Sequence, residues 1–331
     1  MSAGRSLAAL LAGLAALGLA VRLGDWQASY LAAWLGLLAL PLGALPLAAG
    51  LDALAPRGFL SLRPSLRRCL GLMPVAALLA LPLVGVVPAL YPFAGGTPAA
   101  TPLAEIWLTT PFFAARIVAA LALWVWLCLR VAAGRGPVAL VLGLHAVLAT
   151  LVSFDLVTAL DPRLGSSLIG LLMMVAWSGA ALAAALLVLP PGKRPEAGLL
   201  PLALLLAAWV FLHFVQFLVV WSANLPAEVS WYLARGGLLG RALSVAGGAV
   251  AVFAALLTLR PGPWTTRVLA GLALVVHGAE MAWLVTPASR GAFVVTGQDG
   301  LAGFAVACLA LGLASHPALR HPARLAPERP A

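Results

Sequence analysis

An all-α, polytopic membrane fold is predicted by three observations. The chain of 331 residues is 63% hydrophobic and only 9% charged, against roughly 25% charged in a soluble domain. Its apolar residues gather into about ten runs of spanning length, where about 20 residues cross a bilayer core as helix. Its basic residues fall unevenly on the two sides those runs define. A chain this poor in charge cannot cover a globule with polar surface and needs lipid as its solvent. The net charge of +10 does not point to nucleic acid, because Lys and Arg occupy short turns rather than one polar face; anionic lipid headgroups suit them.

The runs lie near 6–23, 26–49, 69–90, 111–131, 137–160, 165–189, 198–223, 238–259, 264–286 and 298–314. Proline and glycine punctuate the gaps, as at Pro56, Pro64, Pro92, Pro98, Pro190, Pro226 and Pro261. The first run follows Arg5 as a signal peptide would, but no small-x-small cleavage site precedes Trp26, so it is read as a helix. The segment 315–331, with four prolines and two histidines spread through it, reads as a disordered cytoplasmic tail. Cys69, Cys128 and Cys308 are scattered in or beside apolar runs, with no C-x-x-C pair to hold zinc or an iron–sulfur cluster. They read as small buried hydrophobes.

Fourteen Lys and Arg residues lie on the side of the N-terminus and of the loops after even-numbered runs; five lie on the other side. This bias predicts ten spans with both termini cytoplasmic, and places the loops 91–110 and 224–237 in the periplasm or its equivalent, the membrane being read as a bacterial inner membrane.

Shifting the chain by 125 residues against itself brings Arg116 onto Arg241, Arg135 onto Arg260, Asp155 onto Glu280 and Pro162 onto Pro287. The segments P-L-A-E-I-W (102–107) and P-A-E-V-S-W (226–231) echo one another ahead of the matched charges. The shift spans four helices, so the repeats run parallel. It predicts one four-helix bundle over 69–197 and a second over 198–314, with two peripheral helices and a basic loop in 1–68.

Ionisable groups within spans are functional candidates because they are costly there. His145 and Asp155 lie on the fifth run, His213 and Gln216 on the seventh, His277 and Glu280 on the ninth, and Arg116 on the fourth. A bis-histidine haem needs facing imidazoles at one depth; His145, His213 and His277 fall at three depths, which disfavours it. Asp155, Glu280, His145 and His277 are the candidates for proton handling. Asn224, Trp221 and Trp231 form with His213 and Gln216 a candidate quinone-binding wall, although an interfacial aromatic anchor with a capped turn accounts for the same pattern. At 1.5 Å per residue, Arg116 and Asp155 share a depth, as do Arg241 and Glu280, so ion pairs Arg116–Asp155 and Arg241–Glu280 are expected.

Three stretches carry a resemblance: S-F-D-L-V-T-A-L-D-P-R-L-G-S-S-L-I-G (153–170), F-V-Q-F-L-V-V-W-S-A-N-L-P-A-E-V-S-W-Y-L (214–233) and E-M-A-W-L-V-T-P (280–287). R-R-C-L-G-L-M-P-V-A-A-L-L-A-L-P-L-V-G (67–85) and T-P-F-F-A-A-R (110–116) match more weakly. In these the chain resembles the ActF-type quinone-binding subunit 2 of alternative complex III, in the NrfD/PsrC superfamily. It departs from that pattern at Leu156, where the family has Trp, and at Arg163-Leu164, where it has His-Trp. The resemblance implies a membrane subunit of a quinol:cytochrome c oxidoreductase. It implies two four-helix bundles, no covalent or metal cofactor of its own, structural support and a candidate proton path or quinone contact. The implied partners are an NrfD-like sister subunit, periplasmic iron–sulfur and haem c subunits, and lipid. A secondary transporter is the alternative that ten helices and a repeat also allow, and a scaffold without chemistry is a third.

Overall fold

In the computed structural model, residues 3–54, 61–84, 86–96, 102–190 and 193–315 are described. The expected tail, apart from Ser315, and residues 55–60 of the basic loop lie outside them. Among the described residues there is no strand, and ten helices are long and apolar enough to cross a membrane. They are α1 (Ala3–Leu23), α2 (Trp26–Leu54), α3 (Arg63–Val84, in three pieces), α4 (Thr110–Ala132), α5 (Val138–Leu156), α6 (Ile169–Leu187), α7 (Leu199–Ala223), α8 (Leu238–Leu257), α9 (Pro263–Val285) and α10 (Gly297–Ala314). The chain is an integral, multi-pass membrane protein. The side on which α2 begins, which the basic-residue count assigns to the periplasm, is referred to as the outer side.

Helices α2, α3, α4 and α5 pack in one ring, and α6, α7, α8 and α9 in another. α2 and α6 meet between the rings, while α1 and α10 pack together and against α2. The helices therefore group one position earlier than the expected bundles over 69–197 and 198–314. The two outlying helices are α1 and α10, and α2 is not peripheral: Leu31, Trp34, Leu35, Leu38, Leu42 and Leu45 are fully buried. The reason is steric. Gly43 lets α2 approach α6 so closely that a Cβ there would stand 1.8 Å from the Trp177 carbonyl oxygen. Small residues are what allow such approach in lipid, where apolar contact alone gives no preference for protein over acyl chain. Replacing Gly43 by valine is expected to cost about 3 kcal/mol or more, read as a lower midpoint in an SDS-unfolding titration of the detergent-solubilised protein.

The breaks in α3 follow from Pro74 and Pro82, which cannot donate to the preceding turn. The N–H groups of Ala80 and Leu83 turn to the carbonyls of Ala77 and Ala80, three residues back, which frees the carbonyls of Ala76 and Leu79. Two side chains one turn apart on α2 take them up: Trp34 Nε1 donates to the Ala76 oxygen at 2.7 Å, and the Tyr30 hydroxyl to the Leu79 oxygen at 2.9 Å. An unsatisfied carbonyl at this depth would cost several kcal/mol, so the broken helix and its neighbour form one unit.

On the inner side Asp52 pairs with Arg63. On the outer side Arg290 donates to Asp299 at 2.9 Å and to Ser29 at 2.7 Å, joining the end of α9 to the starts of α10 and α2.

Candidate functional site

Three buried polar centres lie toward the outer side. The first belongs to the α2–α5 ring. Arg116, at the second turn of α4, donates through Nη2 to Asp155 Oδ1 at 2.8 Å and through Nε to Oδ2 at 3.1 Å. Trp107, on the short helix Pro102–Trp107, donates its indole N–H to the same carboxylate at 3.0 Å. The Arg116 guanidinium also stacks 4.0 Å over the Trp107 ring and donates to its carbonyl at 2.7 Å. A carboxylate that receives a two-pronged guanidinium and an indole is held in one orientation by all three donors. Asp155 and Trp107 lie in the wall of an apolar cleft of about 960 Å³.

The second centre belongs to the other ring and is of a different kind. The pair expected between Arg241 and Glu280 is not formed. Glu280 is 2% exposed, and its Oε1 is 2.7 Å from His213 Nε2 and accepts the Trp209 indole N–H at 2.7 Å. His277 Nδ1 lies 3.4 Å from Oε2, without hydrogen-bond alignment. Trp209 and His213 are one turn apart on α7, which puts both on the face toward α9. At the 125-residue offset stand Val84, the last residue of α3, and Pro88 beyond it, so only the second ring can hold its carboxylate with both imidazole and indole.

Arg241 is exposed on α8 because another arginine takes its place. Arg235 closes the short helix Pro226–Arg235, stacks 3.7 Å over the Trp231 ring and donates to the Trp231 carbonyl at 3.1 Å. This repeats on Trp231 what Arg116 does on Trp107. Arg235 is 1% exposed and forms the third centre. It donates to the carbonyls of Trp283 and Leu284 at 3.1 and 3.0 Å and to Asp161 Oδ2 at 3.3 Å. Asp161 also accepts two bonds from Arg163, at 2.7 and 2.8 Å. The turn after α5 is thereby tied to the segment after α7 and to the end of α9. Burial lowers the Arg235 guanidinium to about 10, partly offset by Asp161; it stays charged at neutral pH. Burial also opposes ionisation of Asp161, but the hydrogen bond from Arg163 and the charges of Arg235 and Arg163 outweigh it and hold the carboxyl below its ordinary 3.8.

A carboxyl depressed by folding stabilises the folded state above its unfolded value, and that contribution disappears as pH falls through the folded value. The difference in thermal midpoint between the wild type and Asp161→Asn is therefore expected to be constant above about pH 5 and to close on acidification below 3.8. A gap that widens in acid would contradict the assignment.

The expected quinone wall does not converge. Gln216 is buried and accepts from the Ser166 hydroxyl, Trp231 is buried under Arg235, and Trp221 is 66% exposed. Asn224 is exposed and adopts φ 50° at the end of α7, its N–H bonded to the Val220 carbonyl at 3.0 Å. It ends the helix in the left-handed region that Asn tolerates. Of that set His213 alone contacts a buried carboxylate, that of Glu280. His145 is buried beside Trp124, 6.3 Å between ring centroids, with neither ring nitrogen hydrogen-bonded, and does not join the Asp155 centre. Among the described residues no group of three or more His, Cys, Asp or Glu is placed to hold a metal ion. Trp107, Trp209, Asp161 and Arg235 are the site residues that the search for charges within spans missed. Trp209 was marked only by its one-turn spacing from His213, and Arg235 by its place four residues after Trp231.

No family model matches the chain, and no curated protein matches it either.

Proposed function

We propose that the chain is a membrane subunit, without a redox centre of its own, of a quinol-oxidising respiratory complex of the alternative complex III type. It would lie in the bacterial inner membrane with its termini in the cytoplasm. The observation that supports this reading best is the Arg235 node. The three stretches that carry the resemblance meet there: Asp161 from 153–170, Trp231 from 214–233, and Trp283 and Leu284 from 280–287. Residues far apart in the chain thus build one rigid plate at the outer surface. Such a plate is a suitable seat for extramembrane iron–sulfur and haem c subunits, which need a surface that does not shift as electrons leave the membrane. The transporter alternative is less well supported. A transporter's broken helix offers free backbone groups to a substrate, whereas the freed carbonyls of α3 at Ala76 and Leu79 are taken by Trp34 and Tyr30.

Deletion of the gene tests the proposal. Membranes from the deletion strain are expected to lose quinol-dependent cytochrome c reduction and to regain it with the wild-type gene in trans. An unchanged rate in the deletion strain would overturn the respiratory assignment.

A further inference from the structure

The second ring holds a cavity that the polar atoms around Glu280 do not fill. It measures about 20 Å³ and is bounded by Gly179 and Ala180 of α6, Leu205 and Leu206 of α7, and His277 and Glu280 of α9. A water needs about 10–15 Å³ measured this way and at least two polar partners. Both are present. Glu280 Oε1 already serves His213 and Trp209, but Oε2 has only the misaligned His277 at 3.4 Å. Both ring nitrogens of His277 are buried without a hydrogen bond. A buried imidazole left in that state costs about 1–3 kcal/mol, and a water in the cavity relieves it by donating to Oε2 and bonding to the His277 ring.

We propose that this cavity binds one water, and that His213, Glu280, the water and His277 together form a proton-exchange site within the second ring. The site stands on the geometry of α6, α7 and α9 and holds or fails separately from the respiratory assignment. Its outer member, His213, reaches the surface of the chain, with a side chain 24% exposed. The exchange is balanced. A proton on His213 Nε2 passes to Glu280 Oε1; the carboxyl group then turns to present that O–H to the water, which takes the proton and gives one of its own to a His277 ring nitrogen. One positive charge moves from His213 to His277, and the carboxylate and water are left as they were. No fixed charge pins the carboxylate. α6 carries no ionisable residue, α8 faces Trp209 with Gly247, and its Arg241 is exposed. Of the ionisable groups of α2, Asp52 is engaged with Arg63 at the inner end and Tyr30 with the Leu79 carbonyl. Arg235 is committed to Asp161 and the backbone. The contrast with Asp155, clamped by Arg116, makes one half of the repeat a clasp and the other a proton site.

Infrared difference spectroscopy on the full-length protein in lipid nanodiscs tests this. An internal-water O–H band that shifts in ¹⁸O-water is expected in the wild type. It should be lost in His277→Leu and in Gly179→Ala. The alanine Cβ would meet nothing closer than Leu205 Cβ at 3.9 Å, so it enters the cavity without disturbing the fold or the Glu280 contacts. A carboxyl C=O difference band that responds to a pH change and vanishes in Glu280→Gln is expected as well. A water band unchanged in both cavity variants, or absent from the wild type, overturns the water site. A water band with no carboxyl signal dependent on Glu280 overturns the proton exchange.

Discussion

Substituting leucine for Arg235 is expected to destabilise the protein by about 4 kcal/mol or more. The guanidinium satisfies three backbone carbonyls and one carboxylate while stacked on Trp231. Its loss leaves Asp161 with Arg163 alone and strands the carbonyls of Trp231, Trp283 and Leu284. Breaking a buried pair costs about 3–5 kcal/mol, and each stranded buried acceptor about 1–3 kcal/mol. Some relief comes from water at the outer surface, since Arg163 is partly exposed. Lysine should rescue only in part. It restores the charge, but its three donors cannot serve four acceptors spread in the plane of a guanidinium. The SDS-unfolding midpoint of the purified protein reads the effect. An Arg235→Leu midpoint within about 1 kcal/mol of wild type would mean that the node contributes little.

The Arg116–Asp155 clasp is expected to show the next largest effect and a clear sign of coupling. Arg116→Leu leaves a carboxylate that is 2% exposed with only the Trp107 indole, and Asp155→Leu leaves a guanidinium with only the Trp107 carbonyl and ring. Each single change is expected to cost about 3–5 kcal/mol. The double replacement should cost well under the sum, because apolar residues can stand in for a buried pair at little loss. At Glu280 the outcome should differ. Glutamine keeps an acceptor for Trp209 and His213, so Glu280→Gln is expected to cost about 1 kcal/mol. Equal losses for Asp155→Leu alone and for the double variant would dissolve the clasp. A Glu280→Gln loss as large as that of Arg116→Leu would show that Glu280 too is structural.

The number of spans and the shared level of Arg116 and Asp155 were legible in the sequence, because they depend only on length along the chain. A rise of 1.5 Å per residue gives depth, and depth placed Arg116 level with Asp155. Azimuth was not legible. α2 is apolar on every face, so its pattern does not say whether lipid or protein covers it; only Gly43 hinted at the close approach to α6. The same blindness paired Arg241 with Glu280. Both have the right depth, but the face of α8 that carries Arg241 points away, and α7 brings Trp209 and His213 to the carboxylate first. The repeat offset could not reveal this, since the counterparts of Trp209 and His213 are Val84 and Pro88. Arg235 was counted as a loop charge because it lies outside every apolar run, yet it is the most buried cation among the described residues.

Purification of the chain from its native membrane under mild detergent, through an affinity tag at the genomic locus, tests the respiratory assignment most directly. The expected result is a stable assembly that contains haem c and iron–sulfur subunits and a second polytopic subunit and reduces cytochrome c with quinol. The contradicting result is a chain that elutes alone and drives substrate uptake when reconstituted by itself into liposomes.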